Sequence, residues 1–208
     1  MTLAQLTIRN LELQDLDEVV ELQASCFPPP FPAELLWQSA HLARHLEIFP
    51  AGQWVAVESS RLIASSTTLI IGDDLWHAHA DWETTVGGHE LSRHDPSGTT
   101  LYGVDISVHP KHRGQGVGRA LFEARIQTAR GLGLTRFGTA CRLPGLADWH
   151  QRTGAPASQY VEEVLRGGLA DSTLTPLLRW GLKPVGILDR YMEDEESRNS
   201  ACLLELVL

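Results

Sequence analysis

The chain has 208 residues, of which 17 are basic and 26 acidic, and its formal net charge is −9. This length suits a single domain that buries about 70% of its unfolded surface, and the acidic balance argues against nucleic-acid binding, which needs clustered Lys and Arg. No apolar run approaches the roughly 18 residues of a membrane span, and Met-Thr-Leu-Ala-Gln at the start lacks the features of a secretory signal. Three widely separated cysteines fit a reducing compartment, so we expect a cytoplasmic protein without disulfides.

The first predicted elements are a strand, two helices and two further strands. They cover Thr7–Arg9, a helical stripe from Leu13 to Gln23, residues 33–48, Trp54–Glu58 and Leu62–Ile71. Acidic residues in the first turn of the first helix suit its dipole, and a proline-rich stretch separates it from the second helix. A Ser-Ser turn joins the two strands.

A strand, a glycine-rich turn and a helix follow one another in residues 104–121. Val104, Ile106 and Val108 alternate with polar residues and are predicted on one buried strand face, which Pro110 ends. Closely spaced glycines then precede a helical apolar pattern. The first N–H groups of a helix lack internal partners and carry partial positive charge, and glycines let an anion approach the backbone. The segment therefore predicts a phosphate-binding loop.

The charges around this loop also favour an anionic ligand. No carboxylate lies between Asp105 and Glu123, whereas Lys111, Arg113 and Arg119 do. In an acidic chain, such a basic stretch attracts anions that other surfaces repel. The alternative interpretation is an ordinary helix start whose glycines only turn the chain.

Two familiar glycine loops do not fit these residues. A Walker-type loop needs Gly-Lys-Ser/Thr, and no Lys follows Gly116 or Gly118. A dinucleotide fingerprint needs its third glycine one residue later and an acid at the end of the next strand, whereas residues 136–142 contain none. Arg113, Gly116 and Gly118 instead form the pattern Arg-x-x-Gly-x-Gly directly after a strand. This pattern resembles the acyl-CoA loop of the GCN5-related N-acetyltransferases, the GNAT superfamily.

The resemblance implies a fold class and an element order. We expect an α/β (α+β) GNAT fold, with a mixed, mostly antiparallel central sheet flanked by helices in the order β-α-α-β-β-β-α-β-α-β-β. After the loop helix, the sequence supplies a strand at Thr135–Cys141, a helix at Leu174–Trp180 and a terminal hairpin of Val185–Leu188 and Ala201–Val207. The acidic run at 193–196 is predicted as a solvated loop within that hairpin.

One domain accounts for the whole chain. Residues 1–208 are predicted as a single GNAT-type acyl-CoA-binding domain with insertions at about 72–99 and 144–172. A looser resemblance is to GNAT domains fused to carbon–nitrogen hydrolases.

The resemblance also implies acetyl-CoA as the co-substrate, without a metal. In the family, the loop amides hold the CoA pyrophosphate and the preceding strand pairs with the pantetheine arm. The cofactor-binding residues implied here are Ile106, Ser107, Val108, Arg113, Gly114, Gln115, Gly116, Val117, Gly118 and Arg119. A strand N–H near Val108 is expected to stabilise the thioester oxyanion.

Acyl transfer to an amine also needs a base, because an alkylammonium with a pKa of about 10.4 is almost fully protonated at pH 7. Asp105 and Ser107, on one face of the motif strand, are the predicted catalytic residues. The alternative for Asp105 is a hydrogen-bonded strand residue. Tyr102 and His109 are further candidates for the base, and Cys141 is predicted as a buried structural thiol.

The acid that is usual in the family is missing. Leu177 stands where the last helix usually carries a tyrosine, and Ala170 stands where an asparagine often lies. A thiol with a pKa near 8.5 leaves tolerably well as a thiolate, so we expect this loss to cost less than a loss of binding geometry.

The two insertions carry less specific patterns. The first includes His77, His79 and Asp81. These side chains would share a face if the segment were extended, which allows a metal site, although the spacing matches no zinc motif. The other interpretations are a surface hairpin, or an acceptor wall in which Trp76 or Trp82 covers the carbon chain of a cationic amine. In the second insertion, Ser158–Gly167 is predicted as a capped short helix that acts as a lid over the acyl end of CoA.

Together these features imply an acyl-CoA-dependent N-acetyltransferase that acts on a primary amine, a small cationic metabolite, by direct attack. The alternative is a catalytically silent GNAT-fold module that binds acyl-CoA as a sensor or scaffold, which the missing tyrosine favours. A nucleotide-phosphate binder is a third interpretation. The expected partners are a small-molecule amine and, as in many family members, a second copy of the chain as a homodimer, but no nucleic acid and no membrane.

Overall fold

A seven-stranded sheet runs through the protein, and helices cover both of its faces. The computed structural model describes residues 6–208, so residues 1–5, which entered the judgement on a secretory signal, lie outside the described residues. The elements before the loop are β1 (Leu6–Asn10), α1 (Leu16–Cys26), α2 (Ser39–Ile48), β2 (Trp54–Glu58), β3 (Arg61–Ile71), α3 (Asp73–Ala78), α4 (Trp82–Val86) and β4 (Thr100–Val108). The elements after it are α5 (Val117–Gly131), β5 (Arg136–Arg142), α6 (Leu146–Thr153), α7 (Ala157–Leu165), α8 (Leu174–Arg179), β6 (Lys183–Leu188) and β7 (Ala201–Val207).

The strands are ordered β1-β2-β3-β4-β5-β7-β6 in the sheet. All neighbouring pairs are antiparallel except β4 and β5, which are parallel. This is the mixed, mostly antiparallel sheet that the family resemblance implies. The parallel pair is joined by the α5 crossover, because parallel strands need a long connection.

Each face of the sheet has its own apolar core. Val19, Leu42 and Trp76 from the first helices pack with side chains such as Tyr102 on one face. Phe122, Trp149 and Leu174 from the later helices pack with Leu101 and Phe137 on the other. Neighbouring residues of β4 therefore enter different cores, as expected for a strand covered on both sides.

A bulge in β4 changes which side chains share a face. The pairing of β3 with β4 shifts at Val104, which is an extra residue on β4. Val104 packs in the core of α1 to α4, whereas Ile106 and Val108 pack in the cluster that contains Val117 of α5. The prediction of one buried face for Val104, Ile106 and Val108 is therefore wrong, because a bulge reverses the alternation.

Three helical regions differ from the sequence prediction. Residues 33–48 are not one helix, since Ala33–Leu35 is a single 3-10 turn and α2 begins at Ser39. The first insertion forms the short helices α3 and α4 instead of a hairpin, and His79 adopts a left-handed conformation at the end of α3. In the second insertion α7 agrees with the predicted short helix, but α6 was missed.

The helical first insertion removes the basis for the metal-site alternative. His77 lies within α3 and His79 follows it, so the extended alternation that would align them with Asp81 is absent. Within residues 6–208, no three His, Cys, Asp or Glu side chains are grouped so that they would hold a metal ion. The described residues also contain no helix with both the length and the apolar character needed to cross a membrane.

The acidic run in the β6–β7 connection is not fully solvated. The Asp194 side chain is 1% exposed and accepts two bonds from Arg142 at the end of β5, at 2.8 and 2.9 Å, and another from Ser197. Glu196 accepts from the same guanidinium at 2.7 Å. The solvated-loop prediction is therefore wrong for Asp194, whose burial ties this connection to β5.

We expect Asp194→Ala to lower the free energy of unfolding by about 3 kcal/mol, because it leaves the partly buried Arg142 guanidinium short of a partner. Urea denaturation measures the effect. Glu195→Ala is the matched control, since Glu195 is the exposed neighbour on the same loop and its loss should cost less than about 0.5 kcal/mol. Equal effects of the two substitutions would contradict the structural role of Asp194.

Candidate active site

Strands β4 and β5 separate partway along their length. Their ladder extends only from Thr100–Arg136 to Gly103–Thr139, although both strands continue. At the last pair the Thr139 hydroxyl donates to the Gly103 carbonyl at 2.8 Å, and beyond it Arg125 of α5 donates to the Asp105 carbonyl at 3.4 Å. Side chains thus replace the strand-to-strand hydrogen bonds, and a gap opens between β4 and β5.

Arg125 lies directly beneath this gap. Arg125 is 2% exposed, and its guanidinium carbon lies 5.2 Å from the Phe137 ring centroid and 5.9 Å from the Phe122 ring centroid. Burial lowers the pKa of Arg125 to about 10, and the negative charge of Asp105 opposes that shift. A Cβ at Gly103 would lie 3.2 Å from the guanidinium, so a glycine at the last ladder position makes room for it.

Asp105 is the carboxylate at the gap. It is partly buried, and its oxygens accept from the Ser107 hydroxyl at 3.1 Å and from the Gln23 amide at 3.1 Å. Burial raises the pKa of Asp105 to about 6, because desolvation outweighs these hydrogen bonds and the nearby positive charge of Arg125. A carboxyl with this pKa is able to exchange a proton near neutral pH.

Gln23 orients Asp105 from α1. The Gln23 side chain is buried, and its carbonyl accepts from the Trp37 backbone at 3.0 Å while its amide donates to Asp105. Gln23 was not among the site residues predicted from the sequence. The signal for it was a polar residue inside an apolar helical stripe, because a buried polar group needs a partner.

A pocket opens above Asp105 on the α1 face of the sheet. Val104 and Ala140 belong to its floor together with Asp105. Aromatic side chains form much of its wall, namely Phe27, Phe31, Trp37, Trp82 and Tyr191. They come from the α1–α2 connection, from α4 and from the β6–β7 connection, and of these only Trp82 was singled out from the sequence. Trp76 instead lies in the core, with its ring 5.1 Å from the Arg136 guanidinium.

Arg142 closes one side of this pocket. Its guanidinium is held by Asp194 and Glu196 and lies 5.7 Å from the Phe27 ring centroid and 5.0 Å from that of Phe31. The ion pairs therefore fix the two rings against the end of β5. Arg142 was missed because nothing in the sequence brings the β6–β7 connection to β5.

Of the candidates for a base, only Asp105 lines the pocket. Tyr102 is fully buried and hydrogen-bonded to the Tyr191 hydroxyl at 2.9 Å, and burial raises its pKa to about 12. His109 caps a 3-10 turn by accepting from the Lys111 amide. Cys141 is a buried free thiol whose pKa is raised well above its ordinary value by desolvation, which agrees with a structural role.

Ser107 and Leu177 are also accounted for by packing. Ser107 is 1% exposed, so its hydroxyl meets Asp105 and not the pocket. Leu177 is 5% exposed in the core of the later helices. The predicted pair of Asp105 and Ser107 is therefore brought together, with Asp105 alone facing the pocket.

The glycine loop presents a row of unpaired amides. Gly114 and Gly116 have φ angles of +73° and +86°, which favour glycine, and a Cβ at either would meet nothing within 4 Å. Gly116 precedes α5 without a side-chain cap. Among the described residues, no acceptor pairs with the amide N–H groups of residues 114–119. This arrangement is typical of an anion site at a helix N-terminus.

The side chains around the loop hold it against neighbouring elements. Arg113 donates to the Val108 carbonyl at 3.0 Å and to the Cys26 carbonyl at 3.4 Å, which ties the end of β4 to the end of α1. A Cβ at Gly118 would lie 3.3 Å from the Trp180 ring, so a glycine here lets α5 approach α8. Arg119 pairs with Glu123 on the exposed face of α5.

Comparisons with known proteins give a family and two relatives. A family model described as "Acetyltransferase (GNAT) family" matches residues 16–151. "Uncharacterized N-acetyltransferase YkwB" of Bacillus subtilis (strain 168) is 38% identical over 200 residues, which are 96% of this chain and 88% of that protein. "Probable hydrolase YhcX" of the same organism is 33% identical over 191 residues, which are 92% of this chain but 36% of that protein.

Solved structures share the fold. The GphF GNAT-like decarboxylase in complex with isobutyryl-CoA has a TM-score of 0.83 and 26% identity, and the likeness covers 97% of this chain and 98% of that chain. The yncA protein of Salmonella typhimurium, solved with its cofactor acetyl-CoA, has a TM-score of 0.57 and 15% identity, over 98% of this chain and 94% of that chain.

Proposed function

Since the chain belongs to the acetyltransferase (GNAT) family, we propose that it transfers an acetyl group from acetyl-CoA to a small-molecule primary amine by direct attack. The family match and the relatives confirm the resemblance seen in the sequence, including the likeness to a hydrolase fusion, and the predicted N-acetyltransferase class. The structural neighbours confirm the predicted GNAT fold. The homodimer stays a prediction.

In this proposal the glycine loop holds the CoA pyrophosphate. The unpaired amides of residues 114–119 donate to its oxygens, and the dipole of α5 favours the negative charge. The pantetheine arm lies along the backbone of Ile106, Ser107 and Val108, where β4 has left β5. Arg113 positions this loop through its bonds to β4 and α1, and the GphF and yncA structures, which hold acyl-CoA ligands, support this assignment.

Asp105 acts as the base, and Ser107 and Gln23 position it. The ammonium group of the acceptor binds Asp105 and gives it a proton, and the neutral nitrogen attacks the thioester carbon. The C–N bond forms and the C–S bond breaks, and the excess proton on the attacking nitrogen passes through water to the departing thiolate, so that CoA leaves as the free thiol and Asp105 later returns its proton to solvent. A strand N–H near Val108 stabilises the oxyanion. Because the pKa of Asp105 is raised, it lies closer to the pKa of the ammonium group, which eases the proton transfer between them.

The observation that carries the proposal is the gap between β4 and β5. Residues of both strands at this gap, Asp105 and Ala140 among them, line the pocket, and β4 continues from Asp105 to the loop of unpaired amides. A thioester anchored at the loop would meet an amine bound at Asp105 within this gap, which supplies the orientation that acyl transfer needs.

A second candidate is the decarboxylation of a malonyl-type acyl-CoA, favoured by the much greater likeness to GphF than to yncA. The bond between the carboxylate and Cα would break, carbon dioxide would leave, and protonated Asp105 would protonate the resulting enolate at Cα. We rank it second because Arg142, the cation that lines the described pocket, is already bound by two carboxylates and is not free to hold the substrate carboxylate.

Two assays separate these functions. With acetyl-CoA and a panel of primary amines, we expect amine-dependent release of free thiol and formation of the N-acetyl amine, followed by mass spectrometry. With malonyl-CoA alone we expect no carbon dioxide. Carbon dioxide and acetyl-CoA from malonyl-CoA, without amide formation from any amine, would replace the first function with the second.

A further inference from the structure

The pocket above Asp105 combines one carboxylate with aromatic walls. Asp105 lies at the floor, and the rings of Phe31, Trp37 and Trp82 face the same space. An ammonium group gains its counter-charge from Asp105, while the rings contact the carbon atoms attached to it. The side chains of the walls therefore select the carbon body of the acceptor, in addition to its amine.

The electrostatics of the pocket disfavour an acceptor that carries a carboxylate. Arg142 is the cation that lines the pocket in the described part of the chain, and its guanidinium already binds Asp194 and Glu196. These three groups together carry a net negative charge, and the charge of ionised Asp105 is offset by the buried Arg125 beneath it, so the surroundings stay negative overall. An anionic group would be repelled here, whereas a cation would be attracted.

A second ammonium group is also disfavoured. Of the described residues that line the pocket, Asp105 is the carboxylate, the Gln23 amide is already bonded to Asp105 and to the Trp37 backbone, and most of the other side chains are rings or aliphatic. A diamine or polyamine that filled this pocket would bury its second charge against apolar atoms without a partner. An apolar group in the same place loses contact with water and gains contact with the rings.

We infer that the acceptor is a primary monoamine whose carbon body is aromatic or branched aliphatic, an inference that rests on the proposed acetyl transfer. It narrows the expectation of a small cationic metabolite to one with a single charge and an apolar body. The ammonium lies at Asp105, and the apolar body lies between Phe31, Trp37 and Trp82.

A panel of amines tests this assignment with acetyl-CoA held at saturation. The monoamines are 2-phenylethylamine and 3-methylbutylamine, the polycations are putrescine and spermidine, and phenylalanine adds a carboxylate to the phenylethyl body. We expect kcat/KM for 2-phenylethylamine to exceed that for putrescine and for phenylalanine by about 100-fold or more, because the second charge of either compound is buried without a partner.

Variants of one ring test the contact directly. Phe31→Ala should raise KM for 2-phenylethylamine about tenfold or more with a smaller change in kcat, and Phe31→Leu should restore much of the loss because it returns apolar volume. The Kd for acetyl-CoA should not change. Leu132→Ala, at the far end of α5 on an exposed apolar residue, is the matched control and should leave KM unchanged.

The outcomes distinguish this inference from the proposed function. Preference for putrescine or spermidine, or an unchanged KM in Phe31→Ala, would overturn the apolar acceptor while acetyl transfer stands. Absence of thiol release with every amine, by a protein that still binds acetyl-CoA in calorimetry, would overturn the proposed function and this inference with it.

Discussion

Asp105→Asn should lower kcat/KM for the amine by about 10² to 10⁴, the range typical of a lost general base, while the Kd for acetyl-CoA is unchanged. Asparagine keeps the shape of the side chain and still accepts a hydrogen bond, but it neither takes the proton nor pairs with the ammonium. Steady-state thiol release and calorimetry measure the two quantities. Asp74→Asn is the matched control, since Asp74 is an exposed aspartate on α3, and it should retain full activity.

The activity of the wild-type protein should also depend on pH through the ionisation of Asp105. Because the pKa of Asp105 is raised to about 6, kcat/KM of the wild-type protein should rise with pH up to about 6 and then level off until the amine itself loses its proton. This lower limb should vanish in Asp105→Asn. A rate that instead falls above pH 6 would mean that the protonated carboxyl is the active form, as the decarboxylase candidate requires.

The stability of the protein should respond in the opposite direction to its activity. The pKa of Asp105 lies near 3.8 when unfolded and about 6 when folded, so between these values the folded state binds the extra proton. Stability contributed by this group is therefore lost as pH rises from about 4 to 6, by at most about 3 kcal/mol, and stays lost above pH 6. Asp105→Asn should accordingly raise the melting temperature at pH 8 by several degrees and have little effect at pH 4. A lower melting temperature at pH 8 would contradict a desolvated carboxylate.

Gly116→Val should weaken acetyl-CoA binding by about 100-fold or more. Gly116 has a φ of +86°, a conformation that a β-branched residue avoids, so the loop would turn its amides away from the ligand. The new side chain would also occupy the open space in front of those amides. Calorimetry measures the Kd, and the rise in melting temperature with acetyl-CoA provides a second readout.

The control for this prediction is Gly133→Val. Gly133 also has a positive φ, +70°, and a Cβ there would meet nothing within 4 Å, but it lies beyond the C-terminal end of α5. Both substitutions carry a similar backbone strain, so a loss of binding specific to Gly116→Val isolates the loop. If both variants bound acetyl-CoA as tightly as the wild-type protein, the glycine loop would not be the phosphate site.

Much of the fold could be predicted from the sequence because strands, turns and helix starts are specified by residues that are neighbours in the chain. The Ser-Ser turn before β3, the proline after β4 and the glycines before α5 depend on residues adjacent in the chain, and such local signals predicted the strands, the loop and the family. Asp105 was found for the same reason, as the acidic residue of the motif strand. The loop conformation was likewise predicted from Gly114 and Gly116, the positions at which a positive φ favours glycine.

The pocket could not be predicted, because it depends on contacts between segments far apart in the chain. Gln23 reaches Asp105 from α1 and is itself bonded by the Trp37 backbone, and Arg142 meets Asp194 across a span of 52 residues. The bulge at Val104 is also a property of the pairing with β3, and it decides that Val104 and Asp105 share the pocket. Burial sets the pKa of Asp105, and burial exists only once the chain has folded. The sequence by itself determined the order of the seven strands along the chain and the positive φ of the loop glycines, whereas the tertiary structure decided which side chains surround the carboxylate.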